Sequence, residues 1–303
     1  MKLQGTFRTL ESTSEKLKGS LHSLKGNLDN VRENVSETVH NTIVWPGLDT
    51  LPSGTAPDVL LPGCMVLEGG SFRGNYTSGV LDVLMENGIN LQATVGTSAG
   101  ALNGTNYVSG QIGRSIRINL TYRHDPRFLG VSPVVHGQSM LGLRFIVEDV
   151  CEELPFDYKR FDRAERRFAV TATDCSTGEV VYFEKGVCCE MMKAIRASAS
   201  LPFLSQMVRV EGIHCLDGGL AVKIPYQWAL NEGYEKIIVV RTQKRDYRRP
   251  PQVKTSVESA RVLYREYPKL IEDIALQTDR YNAAIDELEA LEAQGRLLML
   301  CPS

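Results

Sequence analysis

The stretch Val95-Gly96-Thr97-Ser98-Ala99-Gly100 decides how this chain is read. It has the form G-x-S-x-G. Ahead of it, Ile89 to Val95 is short and mostly apolar, which predicts a strand. Behind it, Ala99 to Tyr107 is small and helix-compatible. A serine on such a turn has its hydroxyl pushed out at the carboxyl end of a strand. The neighbouring helix N-terminus, with its free N–H groups and dipole, favours negative charge there. Flanking glycines let the backbone turn tightly and let another group come close.

Two further segments extend the pattern. Val66-Leu67-Glu68-Gly69-Gly70-Ser71-Phe72-Arg73-Gly74 is an apolar strand running into a glycine-rich turn, and Tyr76 to Asn87 then has helical spacing. Such a turn can present successive backbone N–H groups to an anion. It lacks the G-x-x-x-x-G-K-[ST] order of a nucleotide-binding P-loop. The second segment, His214-Cys215-Leu216-Asp217-Gly218-Gly219, is a short strand ending in an acid and two glycines.

Ser98 is the candidate nucleophile, and a serine hydroxyl is weak until a base takes its proton. Histidine is the default base. The histidines are His22, His40, His124, His136 and His214, and none stands in a recognisable third-member motif; His124 is kept as a distant alternative. The residues alone therefore predict a serine with an unusual base. Asp217 taken by itself reads as a turn residue, and only the other two motifs make it a candidate base. The amides of Gly69, Gly70 and Ser71 are the candidate oxyanion hole, since fixed donors are needed where a carbonyl oxygen becomes negative. A plain tight turn is the alternative. Arg73 would hold the loop or meet a phosphate.

In these three segments, taken in order, the chain resembles the patatin-like phospholipase family. That family has a glycine-rich loop ending in x-R-G, a G-x-S-x-G nucleophile and a D-G-[GA] acid. Connecting text agrees: Tyr76-Thr77-Ser78-Gly79-Val80-Leu81-Asp82, Thr171-Ala172-Thr173-Asp174, and Ala197-Ser198-Ala199-Ser200-Leu201-Pro202-Phe203. The resemblance covers roughly residues 62–303, and Tyr281-Asn282 with the Leu288 to Pro302 tail is similar to the bacterial cytosolic branch. Three positions depart from the family pattern. Glu68 replaces the leading aspartate, Ser71 replaces the third loop glycine, and Lys223 stands where Asn or Asp often follows D-G-G.

The resemblance implies an α/β, three-layer patatin-like fold with a mostly parallel central sheet. It implies a serine acyl hydrolase that cleaves ester bonds of phospholipids or related lipids. Asp217 would be the base of a Ser–Asp dyad, an acyl-enzyme would form, and no metal or organic cofactor would take part. The alternatives are a soluble carboxylester or thioester hydrolase, or a scaffold protein with a weakened site.

Composition fits that class. Hydrophobic residues make up 43% and charged residues 23% of 303, as in an ordinary soluble globular protein. A net charge of −2 gives no reason to expect nucleic acid as a partner. No apolar run approaches a spanning helix, and the N-terminus lacks a signal core, which predicts a cytoplasmic protein, peripheral at a membrane where it meets lipid. The seven cysteines have no zinc spacing, and adjacent Cys188-Cys189 read as core packing rather than a redox pair. The basic run Lys244 to Arg249 reads as a solvated loop, with contact to anionic headgroups as the alternative.

The organisation expected along the chain is an amphipathic arm at 1–45, a Pro/Gly linker at 46–63 and a hydrolase domain at 64–303. In the arm, Leu3 through Thr38 follow a 4-3 heptad spacing in which nine of eleven stripe positions are apolar. Glycines at 5, 19 and 26 weaken such a helix by about 1 kcal/mol each, so it needs a covering surface. Self-association through residues 3–39 is the expected outcome, with packing on the catalytic domain and, last, a membrane-surface helix as the alternatives. Within the domain, strands are expected at 64–68, 92–97, 167–173, 180–184, 236–241 and 297–300, and one helical stretch over 255–294.

Overall fold

Parallel strands buried on both faces need helices above and below them, and the chain supplies both. The computed structural model describes residue 45 and residues 47–128 and 141–303. The heptad stripe at 3–39 therefore lies outside the described residues. The strands are β1 (Gly54–Thr55), β2 (Leu61–Leu67), β3 (Leu91–Thr97), β4 (Gln111–Ile112), β5 (Arg167–Asp174), β6 (Val180–Glu184), β7 (Val208–Val210), β8 (Ile213–Asp217), β9 (Ile237–Val240) and β10 (Leu298–Leu300). The main sheet has the order β10-β9-β2-β3-β5-β8-β7, with β6 also on β5. From β10 to β5 every pairing is parallel; β6, β8 and β7 join antiparallel.

The helices are α1 (Gly74–Glu86), α2 (Ala99–Val108), α3 (Arg114–Tyr122), α4 (Val150–Glu153), α5 (Tyr158–Phe161), α6 (Met191–Ser198), α7 (Tyr226–Asn231), α8 (Lys254–Leu263) and α9 (Pro268–Ala293). Alternation along β2 assigns them to two layers. Cys64 and Val66 pack with Trp228 of α7 and Ile285 of α9. Met65 and Leu67 pack with Leu81 of α1 and Tyr107 of α2. The result is a three-layer α/β fold with a mostly parallel sheet.

One feature of the register brings distant motifs together. Thr171 of β5 pairs with Thr97 of β3 and with Tyr182 of β6. The next residue, Ala172, pairs with Asp217 of β8 and with Val181 of β6. Since β6 occupies one edge of β5 throughout, β3 and β8 share the other edge. They run toward each other and meet end to end, with Thr97 and Asp217 at adjacent positions. One strand step is about 3.3 Å, so the turns that follow both strands come out at one place.

Residues 47–63, read from composition as a linker, are largely docked. Gly54–Thr55 pairs with Gln111–Ile112. Arg160 donates to the carbonyls of Ala56 and Pro57, at 2.6 and 2.9 Å, and Arg117 donates to that of Leu51 at 2.8 Å. Prolines and glycines here mark irregular backbone whose carbonyls are satisfied by arginines, rather than freedom. The helical stretch expected over 255–294 is two helices, broken at 264–267, with Pro268 in the first turn of α9. No helix among the described residues is long and apolar enough to cross a membrane.

Glycines let α2 lie directly on the sheet. A Cβ on Gly100 would sit 2.4 Å from the Leu67 carbonyl oxygen, whereas one on Gly79, in the exposed face of α1, would meet nothing within 4 Å. Gly100→Ala is therefore expected to destabilise the fold by about 1–3 kcal/mol, as overpacking against rigid backbone does. Gly79→Ala is expected to stabilise it by up to about 1 kcal/mol. Urea unfolding of the two variants beside wild type checks both signs.

Candidate active site

Ser98 follows β3 directly and has φ 56° and ψ −121°. A non-glycine residue in that region costs about 1–3 kcal/mol and persists only where its surroundings fix it. Here the Ser98 N–H donates to Ser198 Oγ at 2.9 Å, and the Ser98 carbonyl accepts from Leu102 N–H at 3.1 Å. Ser198 ends α6 and is wholly buried. Its role was not legible in the sequence, where it is one small residue in a run of small residues.

The Ser98 hydroxyl donates to Asp217 Oδ2 at 2.6 Å. The other carboxylate oxygen, Oδ1, accepts from Gly219 N–H at 2.7 Å. The Asp217 backbone is held as well: its N–H donates to the Ser200 carbonyl at 2.8 Å, and its carbonyl accepts from Thr173 Oγ1 at 2.9 Å. Gly218 must be glycine because a Cβ there would lie 2.2 Å from Thr171 Oγ1. Asp217 is 4% exposed. Burial pushes its carboxyl above the ordinary aspartate range, opposed by the hydrogen bonds from Ser98 and Gly219 and by the charge of Lys223.

The glycine loop lies over this pair. A Cβ on Gly69 would come 3.1 Å from Ser98 Cβ, and one on Gly70 would come 2.5 Å from Thr242 Oγ1. The Gly69 N–H donates to the Lys223 carbonyl at 3.0 Å, so this amide, expected as an oxyanion donor, is spent on backbone. The N–H groups of Gly70 and Ser71 donate to no described residue, and both residues line a cavity with Ser98. Ser71 has φ 49°, a left-handed conformation in which glycine would be unstrained. Asn103 of α2 braces the loop's exit by donating to the Gly74 carbonyl at 2.9 Å, and Ser78 donates to Asn103 Oδ1 at 3.0 Å.

Glu68 secures the loop's entrance. It is fully buried; Oε2 accepts from Thr242 N–H at 2.5 Å and Oε1 from the Tyr281 hydroxyl at 3.0 Å. The departure at Glu68 thus ties the end of β2 to the end of β9 and to α9. Arg73 is exposed; its N–H donates to the Gly70 carbonyl at 3.0 Å, and its side chain makes no ion pair or hydrogen bond with a described residue. His124 is exposed and lines neither cavity at Ser98. Among the described residues no group of three or more His, Cys, Asp or Glu could hold a metal ion. Cys188 and Cys189 are free thiols, and burial pushes Cys188 up to about 11.

Two cavities meet at Ser98. One, of about 300 Å³, is walled mainly by apolar side chains, among them Leu102, Ile118, Phe128, Leu143 and Ile195. Its walls come from α2, α3, α6 and the segment before α4. The other, of about 260 Å³, shares Ser71, Ser98, Leu201 and Leu204 with the first and adds Asp217, Lys223, Arg249, Gln252 and Gln277.

A model of the patatin-like phospholipase family matches residues 65–230, which contain all three motifs. The uncharacterized protein YjjU of Escherichia coli (strain K12) is 30% identical over 189 residues, covering 59% of this chain and 51% of that protein. An uncharacterized NTE family protein of Mycobacterium tuberculosis (strain ATCC 25618 / H37Rv) is 29% identical over 169 residues, covering 53% and 43%. The chain spans about half the length of the curated relatives it matches. Among solved structures, VipD from Legionella pneumophila aligns with a TM-score of 0.41 at 15% identity, over 71% of this chain and 55% of that one.

The strain at Ser98 separates two substitutions that remove the same hydroxyl. Ser98→Ala keeps a Cβ at positive φ, whereas Ser98→Gly does not. The glycine variant is expected to be the more stable by about 1 kcal/mol. Thermal unfolding of the pair measures that difference, and equal midpoints would mean the elbow stores no strain.

Proposed function

This chain belongs to the patatin-like phospholipase family, and we propose that it is a lipid acyl hydrolase working through a Ser98–Asp217 dyad. The observation that carries the reading is the 2.6 Å hydrogen bond from Ser98 Oγ to a buried carboxylate. The unusual base required by the lack of a histidine motif is thus available.

Ser98 Oγ attacks the ester carbonyl carbon while its proton passes to Asp217 Oδ2. The carbonyl oxygen becomes an oxyanion, for which the amides of Gly70 and Ser71 are the donors. The Ala99 N–H, at the start of α2, stands in the position that serves nucleophile elbows in the same way. As the tetrahedral centre collapses, the C–O bond breaks and the alcohol leaves with the proton from Asp217. Water then repeats the sequence on the acyl-enzyme: Asp217 takes its proton, the fatty acid is released and Ser98 recovers its hydrogen. The carboxylate is raised by burial, which brings a normally feeble base closer to the pH at which it must act.

The apolar cavity takes the acyl chain and the polar cavity takes the alcohol. Burying a methylene contributes about 0.8 kcal/mol, or roughly fourfold in kcat/KM. Phe72, Phe203 and Leu204, each at least 40% exposed, stand at the two cavities, which favours contact with a lipid surface over purely aqueous esters.

Three outcomes are expected with p-nitrophenyl esters. First, kcat/KM climbs by up to about fourfold per methylene until the cavity is full; a flat series would detach that cavity from the reaction. Second, Asp217→Asn loses about 10²–10⁴-fold in kcat. Third, activity needs the carboxylate, so it falls as pH is lowered through the raised pKa of Asp217. The Lys223 charge opposes that rise, so Lys223→Met moves the acid limb to higher pH. A limb that stays in place or moves to lower pH would separate Asp217 from the base.

A further inference from the structure

The cavity assigned to the acyl chain is not apolar to its end. It follows one face of α2, which contributes Ser98, Leu102, Thr105 and Asn106, the spacing that keeps side chains on a single side of a helix. Asn106 lies about 12 Å from Ser98 along the helix axis, at about 1.5 Å per residue. Around Asn106 the wall turns polar. Arg114 and Ser115, from the first turn of α3, line the cavity beside it. Asn106, Arg114 and Ser115 are each more than nine-tenths buried. The reaction described above uses none of them.

Arg114 can only donate, and a guanidinium has five N–H groups. Nε and Nη2 donate to the Leu154 carbonyl at 3.2 and 2.8 Å, and Nη2 also reaches Cys151 Sγ at 3.6 Å. Nη1 donates to Asn106 Oδ1 at 2.7 Å, and its second N–H has no acceptor among the described residues. None of these partners is a carboxylate. The guanidinium also lies 5.1 Å from the centre of the Phe156 ring, another neutral contact. Glu153, beside Leu154 in the chain, is committed to Tyr122 at 2.5 Å and to Arg127 at 3.4 Å. Burial lowers the pKa of Arg114, as desolvation of a cation without a countercharge must. Because Arg114 takes the Asn106 oxygen, the amide nitrogen faces Ser115 and donates to its Oγ at 2.8 Å. The Ser115 hydrogen therefore points away from Asn106, and it too has no acceptor among the described residues. Two buried donors thus flank one amide, one of them on a full positive charge. What they lack is an anionic acceptor.

We propose that Arg114 and Ser115 bind a carboxylate at the far end of the acyl chain, so that the preferred substrates are half-esters of medium-chain dicarboxylic acids. This rests on the hydrolase reading above and on its placement of the acyl chain. The scissile carbonyl lies at Ser98, and the methylenes pass Leu102, Ile118 and Ile195. The terminal carboxylate accepts from the spare Nη1–H of Arg114 and from the Ser115 hydroxyl. A methyl-ended chain of the same length leaves both donors unpaired. A shorter chain ending in a carboxylate strands its charge among apolar side chains, which is strongly unfavourable. The pair therefore selects the length of the chain as well as its end.

Hydrolysis of p-nitrophenyl hydrogen azelate beside p-nitrophenyl nonanoate tests the site, since the two esters share a carbon chain and differ only at its far end. In the wild type kcat/KM should favour the azelate by about tenfold or more, as hydrogen bonds to a charged group do. The preference should reverse in Arg114→Met, survive in part in Arg114→Lys and weaken in Ser115→Ala. Taking the ratio within each variant cancels any loss of folded enzyme, so a purely structural role for Arg114 would leave it unmoved. p-Nitrophenyl hydrogen succinate, too short to span, should lose to the butyrate. A wild-type preference for the nonanoate, a ratio unchanged in both Arg114→Met and Ser115→Ala, or an equal preference at the succinate length would overturn the proposal. Equal preference for the ω-hydroxynonanoate ester would show that a neutral oxygen suffices and would overturn the carboxylate assignment. If wild type hydrolyses none of these esters, the hydrolase reading falls instead. Calorimetric titration with monomethyl azelate then still decides the site: binding by wild type that is lost in Arg114→Met supports it, and no binding by wild type overturns it.

Discussion

Two strands share one edge of β5, and the site depends on that constraint. β3 arrives parallel and stops with Thr97 opposite Thr171; β8 arrives antiparallel and stops with Asp217 opposite Ala172. Neither strand can slide without breaking its ladder to β5, because a one-residue slip would also turn each buried side chain to the other face. The hydroxyl contact between Thr97 and Thr171 at 2.7 Å, and the fit of Gly218 onto Thr171, lock the junction from both sides. Ser98 and Asp217, 119 positions apart, are thereby neighbours by register rather than by the chance approach of two loops.

Holding a buried carboxylate against a strained serine is unfavourable locally. Asp217 is desolvated, and Ser98 has a backbone conformation that L-residues avoid. The compensation is distributed: the Gly219 amide on one carboxylate oxygen, the Ser98 hydroxyl on the other, Ser198 beneath the Ser98 amide, and the glycine seam that lets α2 settle on β2. The same glycines that weaken α2 as an isolated helix are required for its approach to the sheet. Local propensity and tertiary fit pull in opposite directions here, as they do where structure is arranged around a reacting group.

The sequence made the elbow legible because G-x-S-x-G between an apolar run and a small-residue helix has few other uses. The sheet was legible for a similar reason: Lys236 to Arg241 is β-branched and apolar at its centre, as a doubly covered strand must be. Backbone satisfaction was not legible. Gly69 looks like any loop amide in the sequence, yet the Lys223 carbonyl takes its hydrogen. Residues 47–63 have the composition of a linker because their carbonyls are met by Arg117 and Arg160, whose contribution no local window contains. The break at 264–267 was carried by Pro268, a signal present in the sequence and outweighed there by helical spacing on both sides.

The departures from the family pattern acquire physical meaning together rather than singly. Glu68 uses both oxygens to join β2 to Thr242 and to Tyr281, and Tyr281 neighbours the Asn282 that clamps Arg249. Lys223 contributes a carbonyl to Gly69 and a charge beside Asp217. The loop, the end of β9 and helix α9 are therefore mechanically one unit. A change in that unit acts on the glycine loop through Glu68 and on the charge beside Asp217 through Lys223 and Arg249. The wall of the apolar cavity belongs to α2, α3 and α6, whose polar links to that unit include the elbow and Asn103, which donates to the Gly74 carbonyl. The two cavity walls are thus built largely from different elements and meet where Ser71, Ser98, Leu201 and Leu204 line both.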